Sequence, residues 1–408
     1  MIDKLRAISR NYLKTYNRKY KRFVFEKNDF KGRLYLLIGQ RGVGKTTIMI
    51  QFLLNKVDTD YLSDEILYVP MDHIYTENMT MYEIVKEFVK YGVKYFCFDE
   101  IHKNLNWARD LKSVYDEFKE VKIIASGSSL INLYKESFDL SRRVVSLEIP
   151  GLSFREFIEI NNNVDGLPSF SIEEIFSNYE KISYEIINFL EKYDIKILPL
   201  FGKYLRYGYF PYFFENTEEE YYIKLQQDIR KIIYGDLIAV YPDITGNTVN
   251  RIFRLLKIIS GSVPFTPVLN DIKEKLGIGD IRTLKNYFNF LEELKLINIV
   301  SKKGRGLDKL VKPEKIFLNN TNYMYVLCEN INKGNLRETF FVSNFKENEI
   351  SFSKKGDFLI KGKYTVEIGG KNKKNKQIAN KENSYLVLDD IEYGIGNKIP
   401  LWLYGFLY

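Results

Sequence analysis

The sequence predicts an α/β chain, with a parallel-sheet domain first, a helical stretch in the middle and a smaller α/β domain at the C-terminal end. Three observations carry this. Short apolar runs at Leu34–Ile38, 95–98 and 121–125 alternate with segments of 3-to-4 apolar spacing, as strands joined by crossover helices do. Residues 153–240 keep helical spacing almost throughout. Beyond Leu318 the pattern turns strand-rich, with one helix standing first.

Composition sets the limits. At about 100–200 residues per domain, 408 residues make two to four domains. With 45% apolar and 28% charged residues the chain is globular rather than disordered. No apolar run approaches the roughly 18 residues that span a bilayer, so no membrane span is expected. Two cysteines, Cys97 and Cys328, exclude a disulfide scaffold and a Cys-rich zinc site, and the two histidines, His73 and His102, are far apart in sequence. A cytoplasmic location follows as the expectation. The net charge of +8 is unevenly spread: residues 1–45 hold 13 Lys/Arg against 3 Asp/Glu, and residues 302–381 hold 18 against 8. Two basic segments flanking a mildly acidic middle suit a polyanion-binding protein, and equally a solvated surface.

Taken in order, the first segment has Ile2, Leu5, Ile8, Tyr12, Leu13, Tyr16 and Tyr20 on one helical face. Lys4, Arg10, Lys14, Arg18, Lys21 and Arg22 lie on the other. A helix docked on the following domain, basic side outward, is expected. The run Leu34–Ile38 then leads into Gly39-Gln-Arg-Gly-Val-Gly-Lys45-Thr46 and a helical pattern from Thr47. This is GxxxxGK[ST] between a strand and a helix, a phosphate-binding loop. Its glycines turn backbone N–H groups inward, and the helix N-terminus adds partial positive charge. The expected ATP-contacting residues are Gly39, Gln40, Arg41, Gly42, Val43, Gly44, Lys45, Thr46 and Thr47. Lys45 would reach the β- and γ-phosphates and the Thr46 hydroxyl would ligate Mg²⁺.

The second apolar run ends in Asp99-Glu100. A strand that delivers a carboxylate at its C-terminal end meets the need for a second magnesium ligand, so Asp99 would hold the metal through water and Glu100 would polarise the attacking water. The run 121–125 ends in Ser126-Gly-Ser128-Ser129, where a hydroxyl could sense the γ-phosphate or simply form a turn. Arg142 and Arg143 precede a further strand at 144–149. An arginine there could act as a charge-stabilising finger across the interface of a homo-oligomer, or sit in an exposed salt bridge.

The loop Gly39 to Thr46, Phe98-Asp-Glu-Ile-His-Lys103, Trp107, Ser126-Gly-Ser-Ser129, the Arg142-Arg143 pair and Pro150-Gly-Leu-Ser-Phe-Arg-Glu156 together resemble one prokaryotic family. These are the AAA+-like P-loop ATPases of bacteria and archaea that carry a C-terminal PD-(D/E)xK nuclease-like domain. The resemblance covers nearly the whole chain and is specific in its first 156 residues. It implies a five-stranded parallel P-loop core with an extra catalytic-glutamate strand. On this reading residues 1–150 are the ATPase core with its basic helix and residues 151–247 a helical lid. Residues 248–317 are a winged helix-turn-helix and residues 318–408 the nuclease-like domain.

Within 153–240, helical spacing is clearest at 154–158, 172–176, 184–193 and 218–234. Residues 248–317 read as three helices (248–259, 268–276 and 281–296), a strand at 297–300, a basic turn at 301–305 and a strand at Lys315–Leu318. Three helices and a basic hairpin make a winged helix-turn-helix. Arg282, Lys285, Asn286 and Asn289 of its third helix could contact phosphates and base edges, or the module could pack only against the ATPase. Beyond Leu318 come a helix at 335–342, strands at 349–353, 357–360 and 364–368, a basic helix from Lys373, and a strand at 385–388. This αβββαβ order, with Glu338, Asp357 and Glu367, resembles the PD-(D/E)xK fold. That resemblance implies a second Mg²⁺ on Asp357 and Glu367 and a charge-stabilising lysine two residues after the glutamate. Gly369 stands there instead. Strand alternation puts Lys371 on the same face if the strand persists, and Gln377 resembles a residue of exonuclease-type members. Lys371, Lys373, Lys374 and Lys376 could equally hold nucleic acid or a partner without cleavage. The last ten residues read as a packed final strand.

Two functions stay open from sequence. One is a Mg²⁺-dependent ATPase acting on DNA or RNA, with C-terminal cleavage in question. The other is an ATP-operated switch whose partner is a protein and whose nuclease-like domain is inactive.

Overall fold

The computed structural model describes all residues except 1, 105, 128–139, 141, 303–312, 347, 375–377 and 379–381. The chain divides into two compact units, Met1–Gly151 and Leu152–Tyr408. In the first, helix α1 (Ile2–Thr15) precedes β1 (Leu34–Ile38), α2 (Lys45–Asn55), β2 (Ile66–Pro70), α3 (Met81–Phe88), β3 (Tyr95–Asp99), α4 (Trp107–Glu117), β4 (Lys122–Gly127) and β5 (Val145–Glu148). The five strands are parallel in the order β2-β3-β4-β1-β5. All five residues of β1 are buried, as expected for an inner strand of a parallel sheet covered on both faces. β4 lies between β1 and β3, so the ends of β1 and β3 stand one strand apart with the end of β4 between them.

Helix α1 packs along β2, the edge strand, with Leu5, Ser9 and Leu13 buried. A sheet edge leaves backbone donors without strand partners. Here the Ser9 hydroxyl accepts the Tyr68 N–H at 2.9 Å. The outward basic face holds for Lys4 and Lys14, which are exposed. Arg22 departs from that expectation. It is 5% exposed and donates to the carbonyls of Val43 (2.8 Å), Pro150 (2.9 Å) and Gly151 (2.8 Å). Beyond the helix the chain turns inward, and a guanidinium with five donors can satisfy several buried carbonyls at once.

The second unit opens with α5 (Phe154–Asn162), α6 (Ile172–Glu191), α7 (Ile197–Tyr207) and α8 (Glu218–Lys231). Capping boxes set three starts, at Ser153/Glu156, Ser171/Glu174 and Thr217/Glu220. Helices α9 (Gly246–Ser260), α10 (Leu269–Lys275) and α11 (Ile281–Glu293) follow, then the antiparallel pair β6 (Ile297–Val300) and β7 (Lys315–Leu318). Next come α12 (Thr321–Leu327) and α13 (Lys333–Ser343). The unit ends in a mixed sheet of β8 (Ile350–Phe352), β9 (Phe358–Ile360), β10 (Tyr364–Gly369), β11 (Ser384–Leu388) and β12 (Lys398–Pro400), in the order β12-β11-β10-β9-β8.

Within the second unit, α6 packs against the C-terminal sheet. The Phe176 ring of α6 stacks on Tyr364 of β10 with centroids 4.1 Å apart, and Tyr179 of α6 meets Tyr385 of β11. Helix α12 is an additional helix ahead of the one expected at 335–342. Asn320 caps it by accepting the Tyr323 N–H (3.1 Å), and buried Asn322 accepts from Tyr209 N and Tyr221 Oη. Finally, the last residues are not a strand. β12 ends at Pro400, and Leu401–Phe406 makes 3₁₀ turns with all six residues buried. Gly405 seats on Phe154, where a Cβ would come within 2.4 Å of the Phe154 Cβ, so the turn and the start of α5 fit only at close approach.

If these closing turns are core, Leu403→Ala should destabilise the protein by about 2–5 kcal/mol, the usual range for a fully buried leucine. Urea denaturation read by tryptophan fluorescence measures this, and a loss below about 1 kcal/mol would place Leu403 at a yielding surface instead.

Candidate active site

The loop after β1 is shaped by its glycines. Gly42 and Gly44 have φ of 75° and 95°, the left-handed region that side chains disfavour. Gly39 has no room for a side chain, since a Cβ would lie 2.3 Å from the Ile149 carbonyl oxygen. Arg22 grips the same loop through Val43 O. Helix α2 then starts at Lys45, whose ammonium donates to Gly39 O (2.8 Å) and Gln40 O (2.9 Å). Val43 and Gln40 are buried, while Arg41, Gly44, Thr46 and Thr47 are partly open and Gly42 is exposed.

Asp99, at the end of β3, is buried and draws hydroxyl groups from three elements. Thr46 Oγ1 donates to its Oδ2 at 2.5 Å, and Tyr68 Oη to the same oxygen at 2.6 Å. Ser126 Oγ donates to Oδ1, which also accepts the Glu100 N–H at 3.0 Å. Burial first, and the Asp99 charge second, drive the Tyr68 hydroxyl far above its ordinary pKa, so it stays protonated and acts as a donor. Glu100 adopts a left-handed φ of 54°. Its carboxylate lies between Arg41 Nη1 (3.9 Å from Oε1) and the buried His102 Nδ1 (3.2 Å from Oε2). A hydroxyl and a carboxylate, both hard oxygen donors, fit Mg²⁺.

Residues 31–158 match the family model of the AAA domain. The chain carries an AAA domain. Such a domain is a P-loop ATPase domain, and the parallel order with β4 between β1 and β3 agrees with it. Residues 198–329 match a domain of unknown function (DUF8612). Among curated proteins, the uncharacterized protein MJ1637 of Methanocaldococcus jannaschii is 28% identical over 407 residues, covering 90% of this chain and 83% of that protein. Among solved structures, DnaA from Aquifex aeolicus bound to AMPPCP aligns over 66% of this chain and 84% of that one, at 13% identity and a TM-score of 0.26. C. elegans PCH-2 aligns over 70% and 68%, at 12% identity and a TM-score of 0.24.

Around the AAA domain's nucleotide loop, the structure brings Lys45, Thr46, Asp99, Glu100 and Ser126 together. Ser126 meets Asp99, while Ser128 and Ser129 lie outside the described residues. Arg143 forms a two-pronged pair with Asp116 of α4 (2.9 and 3.0 Å), which is the salt-bridge alternative for that residue. Arg142 is exposed with a left-handed φ of 72°. Sequence reasoning missed Tyr68 and left His102 without a role. Tyr68 lies in the run Ile66–Pro70, which carries no motif. The only signal for His102 was its position two residues after Glu100.

In the second unit, Asp357 and Glu367 are not an open pair. Asp357 Oδ2 accepts the Ile368 N–H (2.7 Å), and the buried Glu367 Oε1 lies 3.0 Å from Lys373 Nζ. Lys371 is corrected as the candidate lysine. β10 stops at Gly369, so alternation no longer applies, and Lys371 is exposed. The Lys373 side chain instead crosses Gly369, whose missing Cβ leaves it room (2.7 Å from a built Cβ to Lys373 Cβ). Lys376 and Gln377 lie outside the described residues, as does most of the expected basic helix. No group of three or more His, Cys, Asp or Glu side chains among the described residues is placed to hold a metal ion. On α11, Arg282 and Asn286 are exposed, whereas Asn289 donates to Glu293 (2.8 Å).

Glu338 of α13 takes Lys315 Nζ at 2.9 Å. Burial pushes its carboxyl above the ordinary range, Lys315 opposes that, and the nearby Asp357 charge adds to it. A carboxyl raised on folding contributes stability that is present at low pH and lost as pH rises through its folded pKa. The stability of wild type relative to Glu338→Gln should therefore increase as pH falls from 7 toward about 4. Urea midpoints of the two proteins across that range test the sign.

Proposed function

We propose that this protein is a Mg²⁺-dependent ATPase whose hydrolysis acts on, or is regulated by, nucleic acid. The observation that carries the first half is the shared Thr46–Asp99 hydrogen bond with Glu100 one residue beyond it. Lys45 would exchange the Gly39 and Gln40 carbonyls for the β- and γ-phosphate oxygens, and the loop N–H groups would hold the remainder. Thr46 and, through water, Asp99 would hold magnesium, which would supply charge neutralisation at the phosphate oxygens. Glu100 takes the proton of the attacking water as its oxygen bonds to the γ-phosphorus, and the bond to the β–γ bridging oxygen breaks to release ADP. Arg41 and His102 hold the Glu100 carboxylate between them until substrate arrives. Exposed Arg142 is the better candidate for a finger in a homo-oligomer, since Arg143 is occupied by Asp116.

Two variants test this site. Lys45→Ala should weaken ATP binding, whereas Glu100→Gln should leave binding intact and slow turnover by about 100-fold or more. Calorimetric binding beside a phosphate-release assay reads both. Turnover that survives Glu100→Gln would remove that residue from the chemistry.

The nucleic-acid half is supported by the two basic segments and by exposed Arg282 and Asn286 on the third helix of a helix-turn-helix order. For the C-terminal sheet we favour a non-cleaving module, because Lys373 already supplies the cation that Glu367 needs and Asp357 is bonded to the backbone. Affinity for DNA or RNA should then fall steeply with salt, and replacing exposed Lys371 and Lys374 with Ala should shallow the slope by about 1–2 contacts. Electrophoresis of the same mixtures with Mg²⁺ or Mn²⁺ should show intact strands. Cleavage that is lost in Glu367→Gln would overturn the non-cleaving reading, and no binding at low salt would favour a protein partner.

A further inference from the structure

Of the three hydroxyl groups on Asp99, two belong to elements already expected in the site: Thr46 to the phosphate loop and Ser126 to the end of β4. The third, Tyr68, comes from the edge strand β2 and lies outside every motif. We propose that Tyr68 is a positioning residue for the magnesium ligand Asp99, and that helix α1 holds Tyr68 in place for that task. This rests on the ATPase reading above and adds to it a residue and an element that it did not include.

Tyr68 is 1% exposed, and its hydroxyl reaches Asp99 Oδ2 at 2.6 Å. A buried tyrosine hydroxyl is costly without a partner, and a buried carboxylate is costly without donors, so each group fixes the other. Thr46 donates to the same oxygen. When the Thr46 oxygen turns a lone pair to a metal ion, its proton can still point to Asp99, but its position is then set by the ion. Tyr68 also exchanges a hydrogen bond with Thr46, but it ligates no metal, so its donation to Oδ2 keeps the carboxylate from rotating. The α1 side of the argument has two contacts. Ser9 Oγ accepts the Tyr68 N–H at 2.9 Å, and the Tyr12 ring stacks on the Tyr68 ring with centroids 4.8 Å apart and planes 25° apart. Together they hold backbone and ring on the open side of an edge strand, where no further strand does so. The Tyr68 hydroxyl is aimed at Asp99, whereas the Lys45 ammonium donates to Gly39 O and Gln40 O, so binding of the bare nucleotide should not depend on Tyr68.

The test is a fluorescence titration of the full-length protein with a labelled ATP, once with EDTA and once with millimolar Mg²⁺. The quantity read is the gain in affinity that Mg²⁺ confers. For Tyr68→Phe the EDTA affinity should match wild type, while the magnesium gain should shrink by about 10–150-fold, the size of one hydrogen bond to a charged group. Tyr12→Ala should shrink it in the same direction by less. If both affinities of Tyr68→Phe fall together, or its magnesium gain equals that of wild type, the positioning role is overturned. An unchanged gain in Tyr12→Ala overturns the part assigned to α1. If Tyr68→Phe does not fold, Ser9→Ala and Tyr12→Ala carry the test, and wild-type gains in both overturn the proposal. A wild-type protein with no magnesium gain at all would instead sink the ATPase reading, and this inference with it.

Discussion

A buried carboxylate must be surrounded by donors or lose its charge, and Asp99 is where this chain meets that demand. Three hydroxyl groups and one backbone N–H converge on it from the helix after β1, from β2, from β4 and from its own neighbour. Convergence of this kind depends on strand order. Because β4 lies between β1 and β3, Ser126 stands between the phosphate loop and Asp99. Because β2 flanks β3 on the other side, Tyr68 reaches the same carboxylate from the edge. The left-handed turn at Glu100 then starts from a fixed point, with its carboxylate held near Arg41 and His102.

The N-terminal segment shows how a strongly basic stretch can act inward. Its charge suggests a solvated face, and Lys4 and Lys14 behave that way. Arg22 does not. It binds three carbonyls, one in the phosphate loop and two at Pro150 and Gly151, where the first unit ends. Gly39 adds a second tie, since its bare Cα lies against Ile149 O. The loop is thus clamped from both sides by chain segments far apart in sequence, which preserves its shape for a ligand without relying on glycine-rich backbone alone.

In the second unit the aromatic residues do most of the joining. Phe176, Tyr179, Tyr364, Tyr385 and Tyr404 link α6, the mixed sheet and the closing turns into one core. Its acidic side chains are neutralised from within, Glu338 by Lys315 and Glu367 by Lys373. Ammonium groups supplied by the chain itself are an alternative to a metal ion for holding buried carboxylates, and they use the same electrostatics.

The sequence by itself determined the chemistry of the nucleotide loop, since glycine spacing, Lys45 and Thr46 act within one continuous segment whose shape is local. It also determined that Asp99-Glu100 ends a buried strand, and where most helices begin, because capping boxes and apolar periods are short-range signals. Tertiary structure decided the rest. Tyr68 belongs to no motif and gains its role only when β2 is set beside β3, and Arg22 reads as surface until the chain turns under the loop. Lys371 holds the expected position only while β10 continues, and the strand stops at Gly369, which lets Lys373 reach back to Glu367. The closing segment reads as a strand from its apolar run, yet Pro400 and the close seat of Gly405 on Phe154 make it a buried turn. For Tyr68, Arg22 and Gly405 the deciding partner lies tens to hundreds of residues away, and only packing brings it within the few ångströms at which such contacts act.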